Sequence, residues 1–133
     1  MAYDDLYRLS AHAVIIDHER RVLLIKSAHG SLSWELPGGA LEPGETACEC
    51  VERECREELG QRINVGSLTC IYYHKVHSSH VFIFRAELSS REIILSAEHT
   101  AFRYFVVEEL SAVQRVRVED SLRFKGEVIF GKF

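Results

Sequence analysis

Residues Gly39–Gly60 read GALEPGETACECVERECREELG, and this stretch decides how the rest of the chain is read. It runs from a glycine-bearing turn into an acidic helix. Pro43-Gly44 signals a turn. Thr46 and Glu49 fit a capping box, in which hydroxyl and carboxylate each satisfy a free backbone N–H. Ala47, Val51, Cys55 and Leu59 recur every four residues and predict a buried stripe, widened by Cys48. Glu49, Glu52 and Arg56 fall on the solvated side, and Gly60 is placed to end the helix. Glu54, Glu57 and Glu58 share one helical face, with Arg53 beside the first. Glu54 and Glu58 border the apolar stripe, so the carboxylates lean towards the protein body.

Two readings of those acids compete. Like charges at this spacing repel, which a solvated surface helix tolerates. Alternatively, two or three carboxylates on one face clamp a hard cation such as Mg²⁺, which prefers oxygen ligands and keeps some positions for substrate phosphates. A bound cation then polarises a phosphoryl group and lowers the pKa of a water.

Working outward, Ser10–Asp17 reads as a strand dense enough in apolar residues for burial on both faces. His18-Glu19-Arg20 is a polar turn and Val22–Lys26 a second strand, so the pair is expected to form a hairpin. Residues 1–9 are an edge segment or loose arm. Ser27–Ser33 is a polar loop. Trp34–Leu36 is short and extended, because the residue before a proline is pushed away from the helical region. Beyond the acidic helix, Arg62–Val76 is strand-rich and bent, His77–Ser79 a turn, and His80–Leu88 a strong strand. Residues 89–101 form a long loop with an apolar insert, followed by a strand at Arg103–Val107. A second helix spans Glu108 to about Lys125, with Leu110, Val113, Val116 and Leu122 as core contacts. The terminal VIFGKF has no assigned place. Mixed strands with two helices far apart in sequence predict an α/β fold with a helix on each side of a sheet.

The 133 residues suit one domain, 1–133, and 47% hydrophobic content supplies a core. No run approaches the ~20 apolar residues of a membrane span, and MAYDDLYRLS lacks a signal-peptide core, so a cytoplasmic protein without a membrane partner is expected. A net charge of −4 argues against binding long nucleic acid but allows a phosphate ligand masked by metal. Cys48, Cys50, Cys55 and Cys70 lack zinc-site spacing and read as reduced, mostly buried residues. The seven histidines show no metal-ligand spacing, and His74, His77 and His80 are not expected to share a face. Trp34, Tyr73, Phe82 and Phe102 either stack on a nucleobase or serve the core. Lys26, Arg85 and Arg103 are alternative candidates to meet phosphates, with nothing in the sequence to choose among them.

The opening stretch resembles the Nudix box, Gly-x5-Glu-x7-Arg-Glu-U-x-Glu-Glu-x-Gly-U, where U is bulky and apolar. Gly39, Glu45, Arg53, Glu54, Glu57, Glu58 and Gly60 fall in register. Cys55 and Gln61 depart at the two U positions, which affects packing after the helix rather than the acids. The lead-in WELPGG and the order of strands are also similar to that family. The resemblance implies a Nudix-type α/β/α sandwich with a mixed β-sheet between helices. It further implies a MutT-like, Mg²⁺-dependent hydrolase (Mn²⁺ a substitute) of compounds in which a nucleoside diphosphate is linked to another group, such as nucleoside triphosphates or nucleotide sugars. It makes Glu54, Glu57 and Glu58 metal ligands, with the Gly39 carbonyl adding another. Glu54 and Glu57 are catalytic, and Glu98 is a base from a downstream loop, unless it is only solvated. Glu45 pairs with Arg53 to brace the loop against the helix, unless the pair is a weak surface contact. Trp34, Phe82 and Arg103 are the substrate-binding candidates. The proline that marks ADP-ribose hydrolases is missing near Val76-His77, as are the NADH-type and coenzyme A-type signatures. The partner is a small nucleotide-type molecule and the assembly a monomer or homodimer. The alternative is a non-catalytic Nudix domain that binds or senses a nucleotide.

Overall fold

The computed structural model describes residues 3–133. Its elements in chain order are β1 (Arg8–Ile15), β2 (Val22–Ser27), β3 (Trp34–Glu35), β4 (Gly38–Ala40), α1 (Ala47–Leu59), β5 (Ile63–His74), β6 (Ser79–Leu88), β7 (His99–Phe105), α2 (Ala112–Leu122) and β8 (Ile129–Lys132). They form a mixed five-stranded sheet, ordered β4-β1-β6-β5-β8, and a three-stranded sheet, ordered β3-β2-β7. In the larger sheet β1 runs parallel to β6 and β8 parallel to β5, while β4–β1 and β5–β6 are antiparallel.

Strand pleating sends successive side chains to opposite faces, and β1 buries both. Ala11, Ala13 and Ile15 join Cys50, Val51, Cys55 and Leu59 of α1 in one core cluster. Val14 joins Val118 of α2, Tyr72, Val81 and Ile83 in the other. β2 divides likewise, Leu23 and Ile25 towards the first cluster, Val22 and Leu24 towards the second. A fully buried Leu or Val contributes roughly 1.5–3 kcal/mol by leaving water, so these strands fix both helices.

That two-sided burial also corrects the expected hairpin. β1 and β2 touch through one bridge, Ile16 to Val22, and then part into different sheets. The turn between them is held by Asp17, which accepts the N–H of Glu19 and Arg21 and the Arg21 Nε–H. Each strand satisfies its backbone against other neighbours, β1 with β4 and β6, β2 with β3 and β7.

The acidic helix matches its sequence pattern. Thr46 accepts from Glu49 N–H, Glu49 returns the bond to Thr46 N–H, and Gly60 closes the C-terminus in the left-handed region at φ 70°. Of the cysteines, Cys50 and Cys55 are buried, whereas Cys48 is half-buried. β5 is bent, as expected, by register shifts between Val65 and Cys70.

Three further corrections concern the second half. β7 begins at His99, four residues before the expected strand, because His99 pairs with Ser27. α2 is shorter than expected: a 3-10 turn, Val107–Glu109, precedes it, and Ser111 is its cap. Val116 is 41% exposed, while Val118, Asp120 and Ser121 are buried. The buried polar pair has partners: Tyr72 donates to Asp120 at 2.8 Å, and the hydroxyls of Thr69 and Ser121 lie 3.0 Å apart. VIFGKF supplies β8, beside β5. Arg8 and Leu9 of the expected arm belong to β1; Met1 and Ala2 lie outside the described residues.

Candidate active site

α1 and β4 build the site together. Gly38 holds φ 147°, and a Cβ there would collide with the Ala11 carbonyl and His12, so this crossing demands glycine. At Gly39 a Cβ would stand 2.7 Å from the Glu54 carboxyl carbon. The backbone of β4 is thereby pressed against the acids of α1. The Gly39 carbonyl accepts the Cys50 thiol at 3.4 Å. Burial pushes that thiol up to about 11, which keeps it protonated as a donor.

The three acids of α1 occupy graded environments. The Glu58 side chain is 6% exposed and accepts the Gly38 N–H at 2.8 Å. Burial, opposed by that N–H and reinforced by the charges of Glu54, Glu35 and Glu98, pushes its carboxyl up to about 8. Glu54 is also raised, first by burial, with Arg53 pulling down and the charges of Glu57 and Glu98 pushing up. Glu57 is the open one, its side chain 57% exposed.

Arg53 lies among them. It grips Glu45 twice, Nε to Oε2 at 2.5 Å and Nη2 to Oε1 at 3.0 Å, in the fork geometry that only Arg offers. Its Nη1 donates to Glu54 at 2.9 Å and to Glu57 at 3.3 Å, and its Nη2 to the Ala40 carbonyl at 3.2 Å. These bonds hold Glu45 down to about 2. Glu45 in turn accepts the Glu42 N–H at 2.9 Å, so loop, strand and helix are tied by one guanidinium.

Glu98 is exposed on the loop before β7, yet its charge bears on both Glu54 and Glu58, so the fold brings it to the same acidic region. Its carbonyl accepts the Ala28 N–H at 2.8 Å, which fixes the loop. Beside it stand two residues that sequence reasoning missed. His99 is buried, with Nε2 3.0 Å from Glu35 and 3.7 Å from Glu58. Glu35 sits within WELPGG and His99 directly follows Glu98, which was the only available signal.

The donor set suits a hard divalent cation. It is made of oxygens, crowded carboxylates raise one another's pKa, and a cation would reverse that cost. Among the described residues no three His, Cys, Asp or Glu side chains are drawn to one point. The acids share a region, with Arg53 reaching across two of them.

The substrate candidates are divided. Trp34 lines a cavity of about 510 Å³ on the α2 side of β4 and packs edge-on to Phe105 at 5.1 Å. Arg103 lies 3.9 Å over the Phe105 ring and 5.9 Å over Trp34, and pairs with Glu109 at 3.2 Å. Phe82 packs against the α1-side core, away from that cavity. Its place follows from pleating, since neighbouring Val81 and Ile83 face α2. His74 and His77 do meet, their rings 4.9 Å apart, because the 3-10 turn at Lys75–His77 folds one back on the other.

A mixed sheet between two helices, with a braced acidic helix against a glycine strand, defines a fold shared with solved Nudix structures. An ADP-ribose pyrophosphatase from Streptococcus suis superposes with TM-score 0.78 over 96% of this chain and all of its own, at 19% identity. The MutT protein from Methanosarcina mazei Go1 superposes with TM-score 0.73 over 92% of this chain and 97% of its own, at 25% identity. The NUDIX domain family model matches residues 6–124, and the chain belongs to that family. A MutT-like protein from Streptomyces ambofaciens is 34% identical over 121 residues, covering 88% of this chain and 78% of the relative. Among the described residues no helix is long and apolar enough to cross a membrane.

Proposed function

We propose that this chain is a divalent-cation-dependent hydrolase that cleaves a phosphoanhydride bond in a compound holding a nucleoside diphosphate linked to another group. Nucleoside triphosphates and nucleotide sugars are the substrate types in view. The observation that carries this reading is the placement of Glu54 and Glu58 against the glycine strand β4, with the charge of Glu98 bearing on both and both carboxyls raised, chiefly by burial. The names of the relatives, MutT-like protein and ADP-ribose pyrophosphatase, support the same class of reaction.

Mg²⁺, or Mn²⁺ in its place, would be held by Glu54, Glu57 and Glu58 with the Gly39 carbonyl, and would supply neutralisation and polarisation of the substrate phosphates. The remaining chemistry falls to the chain. Glu98, exposed on its loop, accepts the proton of the attacking water as general base. The water oxygen bonds to phosphorus while the bridging oxygen leaves with the departing phosphate. Arg53 and Glu45 hold α1 in register with β4 throughout. His99 fixes the buried end of the acid row through Glu35 and Glu58. Trp34 and Arg103 offer an aromatic face and a cation beside the cavity for the rest of the substrate.

The test is a nucleotide panel with Mg²⁺ or Mn²⁺, with products identified to locate the bond cut. Glu57→Gln is expected to lower kcat by roughly 10²-fold or more while leaving the thermal transition in EDTA unchanged, because this side chain is largely in solvent. Activity of the variant equal to that of the parent chain would remove Glu57 from the machinery. Tight nucleotide binding with no turnover on the whole panel would favour a sensing domain.

A further inference from the structure

The cavity that Trp34 lines has an electrostatic character opposite to that of α1. Its lining includes Arg8 of β1, His12, His74 of β5, and Gln114 and Arg117 of α2, and no carboxylate. Three of these have buried polar atoms without a hydrogen-bond partner: His74 Nδ1, Gln114 Oε1 and Arg117 Nε. Among the described residues no acid pairs with Arg117, whose guanidinium lies 5.6 Å over the Phe133 ring. A half-buried arginine without a counter-charge is costly; its Nε–H, and His74 Nδ1 in the tautomer that protonates it, suit a ligand that supplies acceptors, whereas Gln114 Oε1 accepts and suits a ligand hydroxyl. The N-terminus of α2, capped by Ser111, opens on the same space and adds its partial positive charge.

The cavity is one strand away from the acids. Gly38 and Gly39 face Glu58 and Glu54, while Ala40 lines the cavity and gives its carbonyl to Arg53. A ligand with phosphates at the acidic face and a further group beyond Ala40 would therefore meet a metal-requiring surface first and a cationic one second. We propose that the cavity binds a second phosphoryl group of the substrate, one that hydrolysis leaves intact. The favoured substrates are then compounds with a scissile phosphoanhydride and a separate phosphate at the distal end. This rests on the hydrolase reading for the scissile bond but not for binding in the cavity.

Trp34 is the single tryptophan, so its fluorescence reports on this cavity alone. Titrations in EDTA keep phosphates from the α1 acids, which repel them without a cation. Adenosine 3′,5′-bisphosphate and AMP are each expected to bind at least about tenfold more tightly than adenosine, which has no phosphoryl group. The excess should vanish in Arg117→Met and in Arg8→Met. Arg8→Met alters an exposed position on another element, so it carries the test if loss of the Phe133 contact unfolds the first variant. Arg115→Met, on α2 but outside the cavity, should leave it unchanged. Equal affinity for AMP and adenosine would overturn the proposal, as would an excess over adenosine that survives both substitutions. Adenosine binding as tightly as the bisphosphate would overturn it too, by giving the cavity to a base. Because no turnover is read, a silent nucleotide panel would sink the hydrolase reading without touching this one.

Discussion

Replacing Tyr72 by Phe removes one oxygen from the interior and almost no volume. That oxygen donates to Asp120 at 2.8 Å, and both residues are buried, so the change strips a partner from a confined carboxylate. Among the described residues Asp120 then keeps only Arg123, at 2.5 Å and near the surface. Losing a hydrogen bond to a buried charged group costs about 2 kcal/mol. With a urea slope of about 2 kcal/mol/M, the midpoint should fall by about 1 M. For a chain of this length each kcal/mol moves Tm by about 4 °C, so a fall of about 8 °C is expected. Equilibrium urea unfolding followed by circular dichroism measures it. The double variant Tyr72→Phe with Asp120→Asn should lose less than the sum of the singles, because both changes act on one contact. A midpoint shift under about 0.2 M, or strict additivity in the cycle, would refute the claim that this bond seats α2 on β5.

Other outcomes follow from the same geometry. Gly39→Ala should weaken divalent-cation binding at least about tenfold by calorimetry, because the new Cβ meets the Glu54 carboxylate at 2.7–2.9 Å. Mg²⁺ at about 100-fold its Kd should stabilise the fold by about 2.7 kcal/mol in urea titrations, and Glu57→Gln should remove most of that gain. His12 is lowered to about 4, chiefly by burial and then by the charge of Arg117, while its bond to the Leu36 carbonyl pulls the other way. Its folded value lies below its unfolded one, so its share of stability is full above pH 6.5 and is lost as pH falls towards 4. Glu58 has the opposite sign: raised to about 8, it favours the fold below its unfolded value and loses that share as pH rises through 8. His12→Asn should therefore flatten the acid side of the stability profile between those two histidine values and leave the alkaline side alone, as read by Tm against pH.

Legibility in the sequence tracked how local the cause was. α1 was readable to its caps, because stripe, capping box and terminal glycine lie within one short stretch and act through i to i+4 contacts. Glu98 could be nominated only through the resemblance to the Nudix family, because its approach to Glu54 and Glu58 is set by the fold and not by any local pattern. The split between β1 and β2 was not readable, because the local turn favours a hairpin and only pairing with β6 and β7, far along the chain, pulls the strands apart. α2 misled for a different reason: Tyr72 and Thr69 make polar positions the buried ones, so hydrophobic periodicity pointed to Val116 instead of Val118. β8 depends wholly on a parallel neighbour supplied by β5. His99 was visible only as the histidine next to Glu98 until the fold set it against Glu35 and Glu58.

The three residues of β4 form a party wall. Glu54 and Glu58 lean on one side of Gly38 and Gly39, and the cationic cavity opens beyond Ala40. Drift in this strand is penalised from both sides at once, whereas α2 can exchange its cavity-facing residues without moving any acid of α1. A lineage built this way can change what it recognises while keeping the wall and the reaction behind it.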